Sequence, residues 1–574
     1  MDDVIIRIAG ANGDGIESAS RLLAKVIAKN GFFIFGFRSY QSVIRAGSVW
    51  FQIRASNRKV NSIGNHLDLL FCLNKQSISD NIDAVDKSTI IVYDSKDGEI
   101  DEETKATCKQ AIALPILDGA IKTGGDSIYR NTVIIGIIAK ALGLDKESTH
   151  ASINEVFRKK LDVVNANIAA ADFGYSLDSK ISGYALEKSN EKPGRYLLDG
   201  NTAVALGAAA ANCRFYAAYP MTPASSILEW FAAHENYGIM YKQTEDEIAA
   251  INMAIGASYA GVRSMCGTSG GGFSLMVEAL GMAGMAEVPL VVVDSQRGGP
   301  STGLPTKTEQ GDLLFVSTAS QGDFPRVVIA PTSIEECFYK AAEAFNIADT
   351  YQCPVILLLD LFLSEHIETV NIDKSRIVIK ERKFGEYANE RFKRYAITEN
   401  GISPLSMPGM KGMEFVAATD EHDEYGDLMS DIYVGTPKGK EWRVAMHSKR
   451  MKKIDTMLND NAIPMPEIIN PNAKNMLVTF GSAAESCKEA IEMLSGKVDI
   501  GLIAFSYVLP LPKGISEVFE GKRLIDVECN YSGQLEKLIA MQTGIKIKDK
   551  IVRYDGEQIT SKEIADKAME ILKG

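Results

Sequence analysis

Apolar and polar positions alternate along this chain in a pattern that is typical of an α/β protein. Short apolar runs rich in Val and Ile end in polar or glycine-containing turns, and longer segments with helical periodicity follow many of them. We therefore expect a compact α/β domain over residues 1–185. Its predicted strands are residues 4–10, 31–37, 47–54, 67–73 and 88–93, and its predicted helices are residues 18–29, 131–144 and 153–171.

The pattern resumes beyond a polar linker, residues 186–197, which contains the turn-forming pair Pro193-Gly194. A second α/β domain is predicted at residues 198–370 and a third at residues 461–574. Between them, residues 371–460 consist of short polar pieces with glycine and proline, so we expect an extended excursion rather than an independent core. The strands predicted for the two domains are residues 261–265, 288–293, 354–360, 475–480, 498–507 and 523–528.

Four polar segments interrupt the apolar pattern of the second domain and are its candidates for a functional site. Pro220 and Pro223 bracket Thr222 and fix a rigid turn there. Two of the other segments directly follow predicted strands. Open α/β sheets bind ligands outside the carboxyl ends of their strands, so we expect these loops to share one mouth. The four segments are residues 219–223, 245–247, 267–272 and 294–303.

Composition and charge narrow the class of partner. The chain has 574 residues, of which 46% are hydrophobic and 24% charged, and its net charge is −12 with a pI near 5.3. This balance argues against a nucleic-acid surface and against a polybasic membrane patch. The start of the chain lacks the cationic segment of a secretion signal, and no apolar run is long enough to span a bilayer. We expect a cytoplasmic protein.

The eight cysteines are scattered, and no two of them have the Cys-x-x-Cys spacing of a zinc or iron–sulfur site. The histidines likewise lack the spacing of metal ligands. We therefore predict no metal site on this chain and interpret most of the cysteines as small buried apolar residues.

The segment Gly10-Ala-Asn-Gly-Asp-Gly15 follows the first predicted strand and resembles a dinucleotide-binding turn. However, Asn12 replaces the second glycine of that fingerprint, and the next predicted strand ends in Arg38 rather than in a ribose-binding acid. We therefore interpret the segment as a glycine-rich strand-to-helix turn. A nucleotide-dependent dehydrogenase remains an alternative of a different class.

Several long motifs together resemble the α subunit of 2-oxoacid:ferredoxin oxidoreductases. They are Tyr219-Pro-Met-Thr-Pro223, Glu247-Ile-Ala-Ala-Ile-Asn-Met-Ala-Ile-Gly-Ala257, Thr268-Ser-Gly-Gly-Gly-Phe-Ser-Leu-Met276 and the segment from Gln296 to Asp312. The turn at residues 10–15, together with Arg45-Ala-Gly-Ser48, resembles the γ subunit that some members fuse ahead of α. Cys529-Asn-Tyr-Ser-Gly-Gln-Leu535 matches the family in a region similar to the C-terminal domain of transketolase.

The resemblance implies a multidomain α/β fold: a Rossmann-like γ domain, a thiamine diphosphate pyrimidine-binding domain and a transketolase C-terminal-like domain. It also implies oxidative decarboxylation of a 2-oxoacid to an acyl-CoA, with coenzyme A as co-substrate and ferredoxin as electron acceptor. A β subunit would carry the diphosphate site, Mg²⁺ and a [4Fe-4S] cluster, and the family often assembles as (αβ)₂. The fused arrangement favours 2-oxoglutarate or broad specificity, with pyruvate or branched-chain 2-oxoacids as alternatives.

The resemblance assigns three catalytic candidates. Glu247 matches the glutamate that binds the pyrimidine ring, and its apolar surroundings should raise its pKa. Arg297 would hold the substrate carboxylate with its guanidinium fork, and Thr222 would donate to the carboxylate or keto oxygen. Each has a structural alternative: a helix N-terminus for Glu247, a surface arginine for Arg297 and an N-cap for Thr222.

Further residues are assigned less directly. Tyr219, Pro220, Thr268, Ser269 and Gly270 would contribute to cofactor binding, because glycines permit the close approach of a planar ligand. Lys307 is the candidate for the distal end of a substrate with a second carboxylate. A non-catalytic scaffold whose site has decayed is the remaining alternative.

Overall fold

The computed structural model describes residues 1–41, 47–158, 160–387, 389–417, 419–429 and 435–573. The chain forms two compact units. The first comprises Met1–Asp199, Glu365–Ile372 and Thr560–Lys562, and the second comprises Gly200–Ser364, Asp373–Ile559 and Glu563–Gly574.

The first unit is built on a mixed sheet of eight strands. These are β1 (Asp3–Ala11), β2 (Phe33–Ser39), β3 (Ser48–Ser56), β4 (Leu69–Cys72), β5 (Ile90–Asp94), β6 (Gln110–Leu114), β7 (Tyr196–Asp199) and β14 (Ile367–Val370). Their order in the sheet is β6-β5-β4-β1-β3-β2-β14-β7. The helices are α1 (Ile16–Lys29), α2 (Lys75–Ser79), α3 (Glu102–Thr107), α4 (Ile116–Gly124), α5 (Arg130–Ala141), α6 (Lys146–Phe157) and α7 (Leu161–Ser176).

The pairing of this sheet follows from its apolar strands. β1, β4, β5 and β6 run parallel, whereas β3 lies between β1 and β2 and is antiparallel to both. Strand β1 is buried over most of its length, as its apolar sequence predicts. The five strands predicted in this part of the chain are all present, with ends that differ by at most two residues. β14 pairs with β2 and β7.

One predicted helix of the first unit was wrong in its extent. Instead of a single helix at residues 153–171, α6 ends at Phe157 and α7 begins at Leu161. Arg158 is the C-cap residue of α6. Cations are favourable at the C-terminus of a helix, where the macrodipole is negative, and this favours ending the first helix there.

The second unit begins with a seven-stranded sheet. Six of its strands are β8 (Cys213–Ala218), β9 (Met240–Gln243), β10 (Arg263–Thr268), β11 (Leu290–Gln296), β12 (Val327–Ile329) and β13 (Pro354–Asp360), and the seventh is β18 (Tyr507–Leu509). The helices on this sheet are α8 (Gly200–Ala210), α9 (Ser225–Ala233), α10 (Glu247–Tyr259), α11 (Gly270–Met285), α12 (Leu313–Thr318), α13 (Ile334–Tyr351) and α14 (Leu361–Glu365). The order is β18-β12-β13-β11-β10-β8-β9.

This order contains a topological switch point. From β8 the chain passes to β9 on one side, and it then returns to place β10 on the other side of β8. The three strands are parallel, so the loops that follow β8 and β10 diverge and leave a crevice at the carboxyl ends of these strands. The predicted site motifs follow β8, β10 and β11.

A second sheet in this unit has the order β15-β17-β16-β19-β20. Its strands are β15 (Glu467–Ile469), β16 (Asn475–Phe480), β17 (Ile500–Phe505), β19 (Arg523–Glu528) and β20 (Asp549–Val552), and its helices are α16 (Ala483–Leu494), α17 (Ile515–Phe519), α18 (Gln534–Thr543) and α19 (Ser561–Lys573). Apolar side chains of both sheets join in one buried cluster, which includes Val292 and Phe480. The two sheets therefore share a core.

The excursion predicted at residues 371–460 contains a helix that its polar composition conceals. α15 (Pro437–Asn459) starts at the N-cap Thr436, whose side chain accepts from the Gly439 N–H. Its buried face includes Lys449 and Lys453, which both pair with the buried Glu287 at 2.5 Å. Because lysines occupy buried positions of α15, the apolar periodicity by which a helix is recognised in a sequence is weak in this segment.

Candidate active site

An open pocket of about 550 Å³ lies at the carboxyl ends of β8, β10 and β11. It is lined by Met221, Ser269, Gly270, Gly271, Ser274, Arg297, Gly298, Gly299, Pro300, Ser301, Thr302, Asp312 and Phe315. These residues come from three loops that are far apart in sequence. The structure thus brings the segments at 219–223, 267–272 and 294–303 to one mouth, as the strand-to-loop pattern predicted.

Arg297 lines this pocket and contacts Thr222, which is not a lining residue itself but follows the lining residue Met221. Arg297 follows β11 directly and is half-buried, and its Nη1 donates to the Thr222 carbonyl oxygen at 2.8 Å. Arg297 is therefore not an unconstrained surface arginine. Thr222 is not an N-cap either, because α9 begins at Ser225 and its N-cap residue is Ala224.

Glu247 is the first residue of α10 and is 3% exposed. The N-cap role belongs to its neighbour Asp246, whose carboxylate accepts from the Ala249 N–H at 2.7 Å. Glu247 Oε1 has no hydrogen-bond partner among the residues that the structure describes. Burial raises the pKa of Glu247, as its apolar surroundings predicted. Capping therefore does not explain why this carboxyl group is buried.

The glycines at the start of α11 bring polar side chains close together. A Cβ atom on Gly272 would lie 2.0 Å from Thr268 Oγ1 and 2.4 Å from Glu247 Oε1. Only a glycine therefore leaves room for both side chains at this point. Ser269 is fully buried, and its Oγ is without a hydrogen-bond partner within the described ranges. The N-terminus of α11 and the Glu247 carboxyl group thus form one polar region beside the pocket.

Comparisons with known proteins agree on one family. Residues 206–435 match the family model for the thiamine diphosphate-binding part of pyruvate flavodoxin/ferredoxin oxidoreductase, and residues 5–177 match the model for pyruvate ferredoxin/flavodoxin oxidoreductase. A 2-oxoacid:ferredoxin oxidoreductase subunit alpha from a Sulfolobus species is 33% identical over 99% of this chain and 96% of its own length. This chain belongs to the 2-oxoacid:ferredoxin oxidoreductase α subunits.

Two further relatives support this membership. The 2-oxoglutarate oxidoreductase subunit KorA of Mycobacterium tuberculosis is 29% identical over 94% of this chain and 87% of its own length. A solved structure of 2-oxoglutarate:ferredoxin oxidoreductase from Magnetococcus marinus, with 2-oxoglutarate, coenzyme A and succinyl-CoA bound, has a TM-score of 0.90 and 31% identity and covers 99% of each chain. The family, the multidomain α/β fold and the oxidoreductase function that the motifs implied are confirmed.

The remaining predicted residues of this α subunit lie outside the polar region. Tyr219 and Pro220 are exposed just after β8. Lys307 does not line the pocket, because its ammonium group pairs with Glu557. A distal carboxylate of the substrate would therefore have to compete with Glu557 for this cation.

The motif at 296–312 includes Asp312, but sequence reasoning did not predict that it forms an acidic side of the pocket. Asp312 forms part of its wall beside Arg297, and Asp294 is fully buried on β11. Burial, together with the neighbouring Glu309 carboxylate, raises the pKa of Asp312 to about 6. Both aspartates stand inside motifs that the sequence displays, but their proximity depends on how the loop after β11 folds back.

Sequence reasoning also missed the link between two family motifs. The Gln310 side chain accepts from the Cys529 N–H at 2.9 Å and donates to the Phe480 carbonyl oxygen at 3.0 Å. Asn530 Nδ2 donates to the Gln310 carbonyl oxygen at 3.0 Å. The second sheet thus anchors the loop that carries Arg297 and Asp312, which explains why the motif at 529–535 accompanies the site.

The N-terminal glycine turn of this family member is occupied by its own side chains. The Asp14 carboxylate accepts from the Ala11 N–H at 2.8 Å and lies 3.3 Å from the guanidinium of Arg130. Asn131 Nδ2 donates to the Asp14 carbonyl oxygen at 2.6 Å. These contacts support the interpretation of the segment as a structural turn. Arg45-Ala46, the start of the motif that accompanied it, lies outside the described residues.

Among the helices formed by described residues, none has both the length and the apolar character that crossing a bilayer requires.

Proposed function

We propose that this chain supplies the ring-binding and substrate-binding half of a thiamine diphosphate site, and that a separate β subunit supplies the other half. The observation that carries the proposal is Glu247, a buried residue whose Oε1 has no hydrogen-bond partner in the described part of the chain, beside the pocket that Arg297 lines. A buried polar atom of this kind needs a ligand or a special role. An aminopyrimidine ring would give it a hydrogen-bond partner.

The residues present fit this cofactor. When bound, thiamine diphosphate supplies the carbanion chemistry that decarboxylates a 2-oxoacid. Glu247 would hold a proton against a ring nitrogen, and its raised pKa suits that exchange. Ser269, Gly270 and Gly271 line the pocket, so part of its wall is backbone without side chains, which a flat ligand can approach closely. Tyr219 and Pro220 stand at the exposed edge, where a ligand shared with another subunit would pass.

Arg297 and Thr222 would orient the substrate. A guanidinium group binds a carboxylate through two parallel hydrogen bonds. This fixes the orientation of the carbon–carbon bond that breaks on decarboxylation. The contact between Arg297 Nη1 and the Thr222 carbonyl oxygen ties the fork to the turn after β8. The Thr222 hydroxyl can then act on the same ligand. Arg297 and Thr222 would thus recognise the carboxylate and keto groups that every 2-oxoacid shares.

The helices beside the pocket support the requirement for a β subunit. α10 and α11 are apolar on nearly all sides, although one face of each is exposed. Ile248 is 50% exposed and Leu275 is 51% exposed on these faces. A helix that is apolar all round is normally buried, so we expect a partner subunit to cover this surface. The same subunit would bring the diphosphate site, Mg²⁺ and the [4Fe-4S] cluster that hands electrons to ferredoxin, in an (αβ)₂ assembly.

We propose 2-oxoglutarate, or several 2-oxoacids, as substrate and coenzyme A as co-substrate. The structural neighbour with 2-oxoglutarate and coenzyme A bound supports this choice. Among the described residues that line the pocket, Arg297 is the one cation. A second substrate carboxylate would therefore be met by the β subunit, or by Lys307 after it leaves Glu557. Pyruvate and branched-chain 2-oxoacids remain the alternatives.

The test is turnover of the chain reconstituted with its β subunit. We expect reduction of ferredoxin or of a viologen dye that depends on coenzyme A, with the highest kcat/KM for 2-oxoglutarate. A preference for pyruvate would overturn the substrate assignment only. Unchanged turnover in both Glu247→Ala and Arg297→Ala would identify a scaffold subunit and contradict the proposal. Micromolar binding of a nicotinamide or flavin nucleotide that Gly13→Val abolishes would favour the dehydrogenase instead.

A further inference from the structure

Acidic groups cluster around one residue of the pocket wall, Asp312. Asp312 and Arg297 both line the pocket, Asp294 lies on β11, and Glu309 precedes Asp312 on the same loop. A Cβ atom on Gly298 or Gly311 would lie within 3.5 Å of a Glu309 carboxylate oxygen, so Glu309 faces the same loop. The Asp312 carboxyl group therefore has two acidic neighbours, Glu309 and Asp294, and one cationic neighbour, Arg297.

Asp312 is held in place by well-defined contacts. Its N–H donates to Gln296 Oε1 at 2.9 Å, and Gln296 Nε2 donates to the Leu359 carbonyl oxygen at 3.1 Å. A Cβ atom on Gly270 would lie 2.4 Å from Asp312 Oδ2, so the carboxyl group packs directly against the start of α11. Its position beside the pocket is therefore set by β11, β13 and α11 together.

Within the described ranges, the charged groups that face Asp312 come from β11 and from the loop that follows it. Arg297 and Asp294 belong to β11 and its following loop, and Glu309 belongs to the loop of Asp312 itself. The start of α11 contributes Ser269 and Gly270, which carry no charge. The neighbouring start of α18 contributes Gln534, whose amide bonds to Gly311 and Leu314 and is also neutral.

Asp294 makes this arrangement sensitive to any further negative charge. It is fully buried, and neither of its carboxylate oxygens has a hydrogen-bond partner from any described residue. Burial, reinforced by the Asp312 charge, raises the pKa of Asp294 well above its usual range. Two such groups cannot both be ionised at low cost, so the charge on Asp312 favours the protonated form of Asp294.

We propose that Asp312 is a positioning residue for Arg297, and that its carboxylate takes up a proton from solvent when the carboxylate of a 2-oxoacid binds to Arg297. The inference rests on the proposed function, because it requires that the substrate carboxylate occupies this pocket. The substrate brings a negative charge next to a carboxylate that already competes for the same guanidinium. Protonation of Asp312 removes its negative charge, so the guanidinium group of Arg297 can bind the substrate carboxylate without competition.

The sign of the pH dependence follows from this competition. Below about pH 6, Asp312 is protonated before substrate arrives, so binding needs no proton. Above that pH, binding must first take up a proton, so the KM for the 2-oxoacid rises with pH while kcat changes less. Because one proton must be taken up for each substrate bound, we expect KM to rise by roughly 20- to 30-fold between about pH 5.5 and pH 7.5.

Two measurements test this on the reconstituted complex. Calorimetric titration of 2-oxoglutarate at pH 7.5, in buffers of different ionisation enthalpy, should show uptake of up to one proton for each substrate bound. In Asp312→Asn, proton uptake should disappear and KM should become nearly independent of pH. In Glu309→Gln, the rise in KM should move to lower pH, because one of the charges that favours protonation is gone. Asp323→Asn, at an exposed acid, is the matched control and should keep the wild-type profile.

The outcomes separate the inference from the proposed function. No proton uptake in the wild-type complex would overturn the inference without any variant, and so would an Asp312→Asn enzyme with the wild-type slope of KM against pH. A uniform loss of activity in Asp312→Asn at every pH would mark a merely structural role and would also overturn it. If Arg297→Ala leaves KM unchanged, the proposed function itself fails.

Discussion

Two segments of this molecule share the sequence pattern of strand, glycine-rich turn and helix, yet the structure treats them differently. At the end of β1, the Asp14 carboxylate accepts from the Ala11 N–H and pairs with Arg130. At the end of β10, Ser269 Oγ and the nearby Glu247 Oε1 are buried without a hydrogen-bond partner among the described residues. The first turn is closed by its own side chains, whereas the second leaves polar atoms that need a ligand.

The lesson is that glycines alone do not distinguish a site from a turn. Both segments use glycines for close approach, but beside the second the described residues leave buried oxygen atoms of Glu247, Ser269 and Asp294 without a hydrogen-bond partner. Such groups are unfavourable in a folded protein unless function requires them. Variants at and near the two turns test whether they differ in function.

The largest effect is expected at Glu247. Glu247→Gln keeps the shape of the side chain and removes its ability to exchange a proton, so we expect kcat to fall by about 10³-fold, or about 4 kcal/mol. The melting temperature should stay equal or rise slightly, because a neutral amide is easier to bury than a carboxylate without a partner. Turnover of the reconstituted complex and thermal unfolding measure the two effects.

The control for this variant is Glu245→Gln, two residues earlier and exposed. It changes charge to the same extent and should leave kcat within experimental error. Equal losses in the two variants would show that net charge near the start of α10 matters rather than the buried carboxyl group.

The next effect is expected at Arg297. Arg297→Lys keeps the charge but loses the planar fork, so kcat/KM for the 2-oxoacid should fall by about 10²-fold, or about 3 kcal/mol. The exposed Arg214 on β8 offers a matched change, and Arg214→Lys should have no effect on kcat/KM. A lysine at 297 that restored full kcat/KM would show that the guanidinium geometry is not used.

The two turns can be compared directly by adding one methyl group to each. Gly272→Ala places a Cβ atom 2.4 Å from Glu247 Oε1, so we expect kcat to fall by about tenfold or more as the carboxyl group is displaced. Gly13→Ala meets no atom within 4 Å and suffers only the strain of its φ of +100°, about 1 kcal/mol. Its melting temperature should fall by a few degrees while the KM for the 2-oxoacid stays unchanged. A rise in that KM would make the N-terminal turn part of the substrate site.

The smallest effect is a pH dependence of stability. Asp312 has a pKa raised to about 6, so the folded chain keeps a proton that the unfolded chain loses above about pH 4, and stability falls as pH rises through this window. Asp312→Asn should therefore gain relative stability between about pH 4 and pH 6, by at most 2–3 kcal/mol. Thermal unfolding of both proteins across this range measures it.

An aspartate of the first unit should behave in the opposite way. Hydrogen bonds from Ser148 hold the pKa of Asp145, the N-cap residue of α6, below its usual range. Asp145→Asn should thus lose stability relative to the wild type as pH rises towards the unfolded pKa of an aspartate, about 4, and the difference should stay constant above it. The same sign in the two variants would contradict the account of Asp312.

Much of the fold could be predicted because apolar strands of parallel sheets are nearly continuous in sequence. The strand predicted at residues 354–360 has those ends in the structure, since β13 is buried along its whole length. α15 could not be predicted in this way, because Lys449 and Lys453 occupy its buried face. Their partner, Glu287, lies more than a hundred residues away in sequence, so no local pattern reveals the pairing.

The position of a candidate site residue could be predicted where it depends on a single loop. Glu247, Thr222 and Arg297 follow strands or begin helices, and the strand-to-loop rule was enough to place the loops at one mouth. The proximity of Asp294 and Asp312 could not be predicted, because it requires the loop between them to fold back onto β11. The Gln310 bonds to Cys529 and Phe480 hold that loop against the ends of β19 and β16, two strands of the other sheet.

The central claim is that the turn after β10, together with the buried Glu247 side chain, forms half of a cofactor site that a β subunit completes. Calorimetric titration of thiamine diphosphate with Mg²⁺ into the purified chain, the purified β subunit and the reconstituted complex tests it most directly. We expect tight binding by the complex, at least tenfold weaker binding by the purified chain, and further weakening of the complex by Glu247→Ala. Tight binding by this chain alone, unaffected by Glu247→Ala, would contradict the account.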